Sequence, residues 1–432
     1  MDRILQPRRL AACWRFRRAL CAAAAGSRRP PPDESALPRT VRGILSNYCD
    51  LGEPHLFARP RSRGGLPVDA TFGFMPFEFH SWDTVLDHCN GLVLYDHGDE
   101  GVDVYVCNPA TRRWALLPRL DGDDTVTSFA GAYLAFDPSV SPHFEVFLIP
   151  RVPDDDDDDD ASMDWPPAVC KLPVFSSRTG RWAERAFAGS PFCTVAEARS
   201  DSVLPVRYGP ERRYAEYWRG ALYVHCRGAF VMKSRRLSLS EDKYQAIKTP
   251  TDIEENRHTA PYLGRSKNGV YYAALRGHEL RVWILDESGE QMDWVLKHLV
   301  DLKALYLRIW PYPQEIRRPW GIVDHYTYND DKFKMEVVQE NEWDSNDDDV
   351  IDFEKVNWDW TGGRARQCTF VGFHPFREVV FLSQGFRVIA YHLSSSKIQF
   401  LGSASPYGRA HYFENSFVYT PCLIDSLPKN SL

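Results

Sequence analysis

The chain has 432 residues, of which 44% are hydrophobic, 13% aromatic and 26% charged, with a formal net charge of −7. It is long enough to bury a sizeable core, and its aromatic-rich, leucine-moderate balance suits many small sheets better than long helices. The acidic balance argues against nucleic acid as the main partner, because a phosphate-binding surface shows as a basic excess. No apolar run approaches the roughly 20 residues needed to cross a bilayer, so no membrane span is expected.

The first segment, Met1 to Arg29, is rich in Arg and Ala and nearly free of acids, which is also how an organelle transit segment reads. Within residues 1–26, Leu10, Cys13, Trp14 and Arg17 fall at helical offsets, giving a short amphipathic helix with a basic remainder. Residues 27–40 contain Pro30-Pro31-Pro32 and read as an extended linker. Two apolar runs, Val41 to Tyr48 and Phe72 to Phe79, are expected to begin the main domain. The basic loop between them, Arg59 to Gly65, reads as solvated.

The clearest signal is Cys89 to Trp114. Gly91 to Tyr95 and Val102 to Cys107 are apolar runs joined by a polar loop with Asp96, Gly98, Asp99 and Gly101, the composition of a β-hairpin. Asn108-Pro109 stops the second run, because proline has no N–H to give a ladder. Trp114 then opens a third strand. The Asn90-Gly91 pair predicts a tight turn with positive φ, and Asn108 with Thr111 predicts side chains that satisfy local backbone groups.

The same plan returns at irregular spacing. It is seen in Phe144 to Ile149 with Cys170 to Ser177 and Trp182, and in Trp218 to Cys226 with Ala229 to Leu239. It is seen again in Gly269 to Leu275 with Leu280 to Asp286 and Trp294, and in Cys368 to His374 with Glu378 to Ser383 and Phe386 to Leu393. A sheet unit repeated with variable loops predicts an all-β fold, a kelch-like β-propeller of about six blades over residues 41–425, since each small sheet must bury a face against the next. Trp114, Trp182, Trp218 and Trp294 are read as structural anchors between sheets. Phe413 to Thr420 is placed to complete the first sheet and seal the ring.

Two acidic stretches interrupt the pattern. Asp154 to Asp160 is an unbroken aspartate run that repels itself, so residues 153–164 are expected to form a disordered loop. It lacks the glycine and alternating ligands of a calcium loop. Asp344 to Asp349 resembles the start of an EF-hand loop but places Asp349 where glycine is required and Lys355 where glutamate is required. Residues 300–366 read as an irregular insertion in which Gly321 to Tyr328 and Lys332 to Gln339 are expected to pair as a hairpin.

Ten cysteines occur without a C-x-x-C pair or tight even spacing. Cys107, Cys226 and Cys368 sit in apolar strand runs, which points to free thiols in a reducing compartment, hence a cytoplasmic or nuclear location. Metal ligation and disulfides stand as the alternatives. No nucleophile elbow, phosphate-binding glycine loop, H-E-x-x-H or dinucleotide fingerprint is present, and the 13 histidines lack metal-ligand spacing. No catalytic, cofactor-binding or metal residue is therefore expected, and His225 reads as a core histidine. Ser176 to Trp182 is similar to the aspartate box of sialidase propellers, with Arg178 in the aspartate's place.

Pro7-Arg8-Arg9-Leu10-Ala11-Ala12-Cys13-Trp14-Arg15 with Arg18-Ala19-Leu20 resembles the second half of an F-box. Downstream, the chain resembles the large plant family of F-box proteins with an F-box-associated propeller. The likeness is carried by Cys89-Asn90-Gly91-Leu92, Val106 to Trp114, Tyr133 to Pro138, Phe175-Ser176-Ser177 with Gly180-Arg181-Trp182, Trp218 to Tyr223, and Gly372-Phe373-His374-Pro375. The resemblance implies a non-catalytic substrate receptor of a Skp–cullin–F-box ubiquitin ligase. Its F-box would dock on the Skp adaptor through Leu5, Pro7, Leu10 and Trp14, and its propeller would present a target protein. Only Met1 to Leu5 precede the match, so a truncated F-box lacking its first helix is expected. The alternatives are a degenerate relative that no longer binds the adaptor, and a glycan-binding or glycan-processing propeller, which would need two carboxylates about 5–10 Å apart across a pocket.

Overall fold

The computed structural model describes residues 40–49, 51–59, 68–69, 71–77, 83–98, 101–120, 122, 124–153, 158–201, 214–236, 242–256, 259–289, 292–303, 320–323, 350–351, 368–406, 413–424 and 426–428. The 1–26 helix and nearly all of the 27–40 linker lie outside them, as do Leu5, Pro7, Leu10 and Trp14.

The described chain is all-β apart from a few short helical turns. Alternating burial, as in Thr84–Cys89, and runs buried on both faces, as in Val379–Gln384, select strands. They form successive antiparallel meanders. Sheet II is Thr84–Cys89, Leu92–His97, Asp103–Asn108 and Arg113–Leu116. Sheet III is Gly131–Ala135, Glu145–Ile149, Val169–Ser176 and Arg181–Ala188; sheet IV is Ala215–Trp218, Ala221–Cys226, Phe230–Arg236 and Asp242–Lys248. These two join edge to edge through a short parallel contact of Phe187 and Ala188 with Asp242 and Lys243. Sheet V is Ala260–Ser266, Gly269–Arg276, Glu279–Asp286 and Asp293–Asp301. Sheet VI is Cys368–Phe373, Val379–Gln384, Arg387–His392 and Ile398–Ser403, with Val350–Ile351 on its outer edge.

Sheet I is assembled from three distant stretches. Phe413–Tyr419 pairs with Gly43–Tyr48, which pairs with Leu51–Ala58, which pairs with Gly321–Val323. The last apolar run therefore does complete the first sheet. The first strands of sheets II to VI and Phe413–Tyr419 touch one another in a closed cycle. A separate apolar core fills each joint: Leu45 with Val93 between I and II, Leu94 with Val146 between II and III, and Tyr133 with Val224 between III and IV. Tyr223 with Tyr272 lies between IV and V, Tyr271 with Val380 between V and VI, and Phe381 with Phe57 between VI and I. A ring of sheets, each burying one face on either neighbour, is the β-propeller plan.

One expectation changes. Phe72 to Phe79 is not a strand where it is described; residues 71–77 are turns, with Phe72 at φ 53°. Its rings instead plug sheet II, Phe72 and Phe77 lying 5.1 and 5.0 Å from Tyr95 and Tyr105. In the acidic loop, Asp158–Ser162 forms a 3-10 turn and Asp164–Trp165 pairs with Cys193–Thr194, while Asp154 to Asp157 lie outside the described residues. Gly321–Val323 edges sheet I through Leu56–Ala58, and the expected hairpin partner, Lys332 to Gln339, lies outside the described residues. All the described cysteines are free thiols. Among the described residues no helix is long and apolar enough to cross a membrane.

Candidate functional site

Three of the four anchor tryptophans occupy one structural position. Trp114, Trp182 and Trp294 are each the second residue of an outermost strand, facing Cys107, Phe175 and Leu285. Trp182 Nε1 donates to the Pro118 carbonyl at 2.7 Å, and Trp294 Nε1 donates to the Lys248 carbonyl at 2.9 Å. Both acceptors belong to the preceding sheet or the residues just after it, so the indoles latch neighbouring sheets by apolar packing and one hydrogen bond. Trp218 differs: it ends an innermost strand, packs in the joint between sheets IV and V, and lies under the Arg219 and Arg265 guanidinium groups at 5.2 and 5.9 Å.

The axis of the ring is spanned at one end. Arg265, near the end of the first strand of sheet V, donates from Nη2 to Asn90 Oδ1 at 3.0 Å, and Asn90 Nδ2 donates to the Phe136 carbonyl at 2.6 Å. Sheets II and V stand opposite each other, so this is a strut across the ring. Glu216 closes it, 3.5 Å from Arg265 with side chains 22% and 14% exposed respectively. Burial raises the pKa of Glu216 against the opposing pull of Arg265. His88 accepts from the Gly91 N–H at 3.2 Å, and burial first, then Arg265, push its pKa down to about 3. Asn90 and Gly91 take φ of 47° and 90°. A Cβ on Gly91 would stand 2.4 Å from Cys422 Cβ, so only glycine admits the C-terminal segment there. Asn108 Oδ1 accepts from Ala110 and Thr111 N–H as the turn chemistry requires, while its Nδ2 donates to the Cys422 carbonyl at 2.9 Å.

The opposite end, where the innermost strands begin, carries a cavity of about 420 Å³ running from Leu86 outward between sheets III and IV. That volume lies in the range of ligand sites. Phe129 comes from the connection into sheet III, Trp165 from the loop after Ile149, and Phe230 and Met232 from sheet IV. Long connections meet here because the Ile149 to Val169 loop folds back, held by the pairing of Asp164–Trp165 with Cys193–Thr194 and by the short helix Val195–Ser200. That helix starts at a capping box, Thr194 Oγ1 accepting from the Glu197 N–H and Glu197 Oε2 accepting from the Thr194 N–H at 3.2 and 2.8 Å. Arg151 braces the mouth by donating to the Thr127 carbonyl at 2.6 Å.

Among the described residues no carboxylate lines this cavity. In a second groove Asp137 and Glu145 both appear beside Tyr217, but each is engaged. Glu145 pairs with Arg185 at 3.2 Å, and Asp137 accepts from Ser139 N–H and Oγ at 3.0 and 2.6 Å. Among the described residues no group of three or more His, Cys, Asp or Glu could hold a metal ion. His225 is 3% exposed, its ring edge-on to Tyr272 at 5.5 Å. The described lining is an apolar hollow with a polar rim that includes Thr127, Arg151, His225 and Arg227, an arrangement suited to binding. Sequence reasoning missed Phe129, Arg151, Trp165 and Met232, because no local pattern marks residues that meet only when two sheets pack.

No protein-family model matches the chain. Over 260 residues it is 25% identical to an F-box protein of Arabidopsis thaliana, in a match covering 56% of this chain and 53% of that protein, so it spans about half the length of that relative. Among solved structures it is similar to the β-propeller domain of Cps50 (Swd1) from Myceliophteria thermophila, with 11% identity over 83% of this chain and 79% of that one and a TM-score of 0.35. Apo AztD from Citrobacter koseri gives 7% identity, 87% and 89% coverage and a TM-score of 0.35. Superpositions that loose decide nothing, and the ring rests on the strand pairing and the inter-sheet cores described above.

Proposed function

We propose that this protein is the non-catalytic substrate-recognition subunit of a Skp–cullin–F-box ubiquitin ligase, built on a six-bladed, kelch-like propeller that holds a target protein for ubiquitylation by an associated enzyme. The observation that carries the reading is the 25% identity over 260 residues to a plant F-box protein. The F-box-like segment from Pro7 to Leu20, placed ahead of the ring, agrees with it. In this reading Leu5, Pro7, Leu10 and Trp14 meet the Skp adaptor, the cullin is reached through that adaptor, and the protein works in the cytoplasm or nucleus. The cavity between sheets III and IV, whose described lining is mostly apolar and holds no carboxylate, suits recognition better than hydrolysis.

The test is co-expression of the full chain with a plant Skp adaptor, followed by size-exclusion chromatography. A stable complex is expected, lost when Leu10→Asp and Trp14→Ala are combined. If the full chain does not retain the adaptor, the ligase role falls and the ring is left as a binding protein of another system.

A further inference from the structure

We infer that the outer edge of sheet IV, just past its seam with sheet III, takes an extended segment of a partner protein as an added strand. This rests on the receptor reading only in taking the segment to come from the target protein. The outer strand is Asp242–Lys248. Thr249 N–H donates to the Ala229 carbonyl at 2.9 Å, and Ile247 and Gln245 stand opposite Val231 and Lys233. The alternation of an antiparallel ladder therefore turns the backbone groups of Gln245 and Ile247 inward and those of Tyr244, Ala246 and Lys248 outward. Trp294 agrees, since its indole reaches the Lys248 carbonyl from outside. The parallel pairing with sheet III covers this strand only as far as Lys243, opposite Ala188, and takes up the Tyr244 N–H. Beyond it the sheets part. The Tyr244 carbonyl, the N–H and carbonyl of Ala246 and the Lys248 N–H then have no backbone partner among the described residues.

This open stretch borders a slot of about 490 Å³ between Ala188 to Phe192 and Lys243 to Ala246. Tyr244 is 4% exposed, its hydroxyl donating to the Pro167 carbonyl at 2.9 Å, so the wall is fixed. Donors and acceptors in a row along a strand edge are a template for another strand. The ring already uses two of its edges in this way: Gly321–Val323 is added to the outer strand of sheet I and Val350–Ile351 to that of sheet VI. Two donors and two acceptors hold about five residues, roughly 16 Å of strand. The residue paired with Ala246 sends its side chain to the face that Tyr244 and Ala246 turn toward sheet III, where Phe192 also packs, so a bulky apolar residue is favoured there. Exposed Lys243 and Lys248 near the two ends favour Asp or Glu in the flanks and disfavour a second copy of the same edge.

Selection of random peptides displayed on phage, using the immobilised full chain, tests this. The selected peptides should centre on a Leu, Ile, Phe or Trp and lack proline. One of them is then N-methylated at a single residue at a time and its binding read by fluorescence polarisation. Methylation at alternate residues, whose N–H groups face the edge, should weaken binding about tenfold, and methylation at the residues between should leave it nearly unchanged. Ala246→Pro removes an outward N–H and spares the ladder to Phe230–Arg236, so it should also weaken binding about tenfold. If that variant does not fold, the methylation pattern decides alone. In the free chain the Ala246 amide should exchange with deuterium faster than that of Ile247. No enrichment, peptides rich in Lys or Arg, methylation effects without alternation, or unchanged binding by folded Ala246→Pro would each overturn the inference. So would an Ala246 amide protected in the free chain, because the edge would then be covered by a second copy or by the chain itself. Skp-adaptor retention by Ala246→Pro reports separately on the receptor reading.

Discussion

Sheets V and I are both four-stranded and antiparallel, yet they are made in opposite ways. Sheet V uses one continuous stretch, 260–301, with strands of seven to nine residues. Sheet I draws its strands from 413–419, 43–58 and 321–323, and Gly43 sits opposite Tyr419. Tyr48, also in sheet I, donates its hydroxyl to the Ala404 carbonyl at 2.8 Å, 356 residues away. Local hairpins close short loops at small entropic cost, whereas a seam between chain ends must hold a loop of nearly the whole ring. The stability of sheet V is therefore largely its own, and that of sheet I is borrowed from every other joint.

The sharpest break is removal of residues 413–432. It strips sheet I of its innermost strand and sheet II of the Asn108 and Arg113 contacts to Cys422 and Leu427. Loss of the cooperative thermal transition is expected, with near-ultraviolet circular dichroism collapsing while far-ultraviolet strand signal from sheets such as V partly survives. A smaller break falls on the seam between VI and I. Gly402 lies at φ 148° and a Cβ there would stand 2.3 Å from the Trp320 carbonyl oxygen, so Gly402→Ala should cost about 3 kcal/mol by urea unfolding.

Sheet V answers more mildly. Trp294→Phe keeps most of the packing and loses one hydrogen bond to the Lys248 carbonyl, which should cost about 1 kcal/mol. Smallest at neutral pH is the effect of His374, between V and VI. Its Nδ1 accepts from the Phe376 N–H at 3.1 Å, and burial pushes its pKa down to about 3. The folded state holds it neutral while the unfolded chain protonates near 6.5, so its contribution is complete above that value. It is lost as pH falls toward 3, at up to about 1.4 kcal/mol per pH unit. In acid titration His374→Gln should show a shallower loss than the parent over that window.

The same contrast explains what could be read from sequence. The turns of sheets II, III and V announce themselves through Asn90-Gly91, Thr179-Gly180 and Ser288-Gly289, and the tryptophan just after a turn marks the outer strand. Leu51–Ala58 escaped notice because Gly52 and Pro54 break its pattern, and it survives as a strand through partners on both sides. Gly321–Val323 was legible as the start of an apolar run, but its partner, Leu56 to Ala58, was not, because the two stretches lie more than 260 residues apart. Phe72 to Phe77 misled because apolar side chains that plug a neighbouring sheet look like a strand when only composition is seen. The cavity was illegible for the related reason that Trp165 and Met232 meet across two sheets.

Ring closure is the claim on which joints, latches and cavity all depend, and hydrogen–deuterium exchange of the full chain measures it directly. Amides of Gly43–Tyr48 and Phe413–Tyr419 should be protected together, and Gly402→Ala should raise the exchange of both while leaving Gly269–Arg276 unchanged. Fast exchange in Phe413–Tyr419 while Gly43–Tyr48 stays protected would mean that the two chain ends do not share a sheet and that the ring is open.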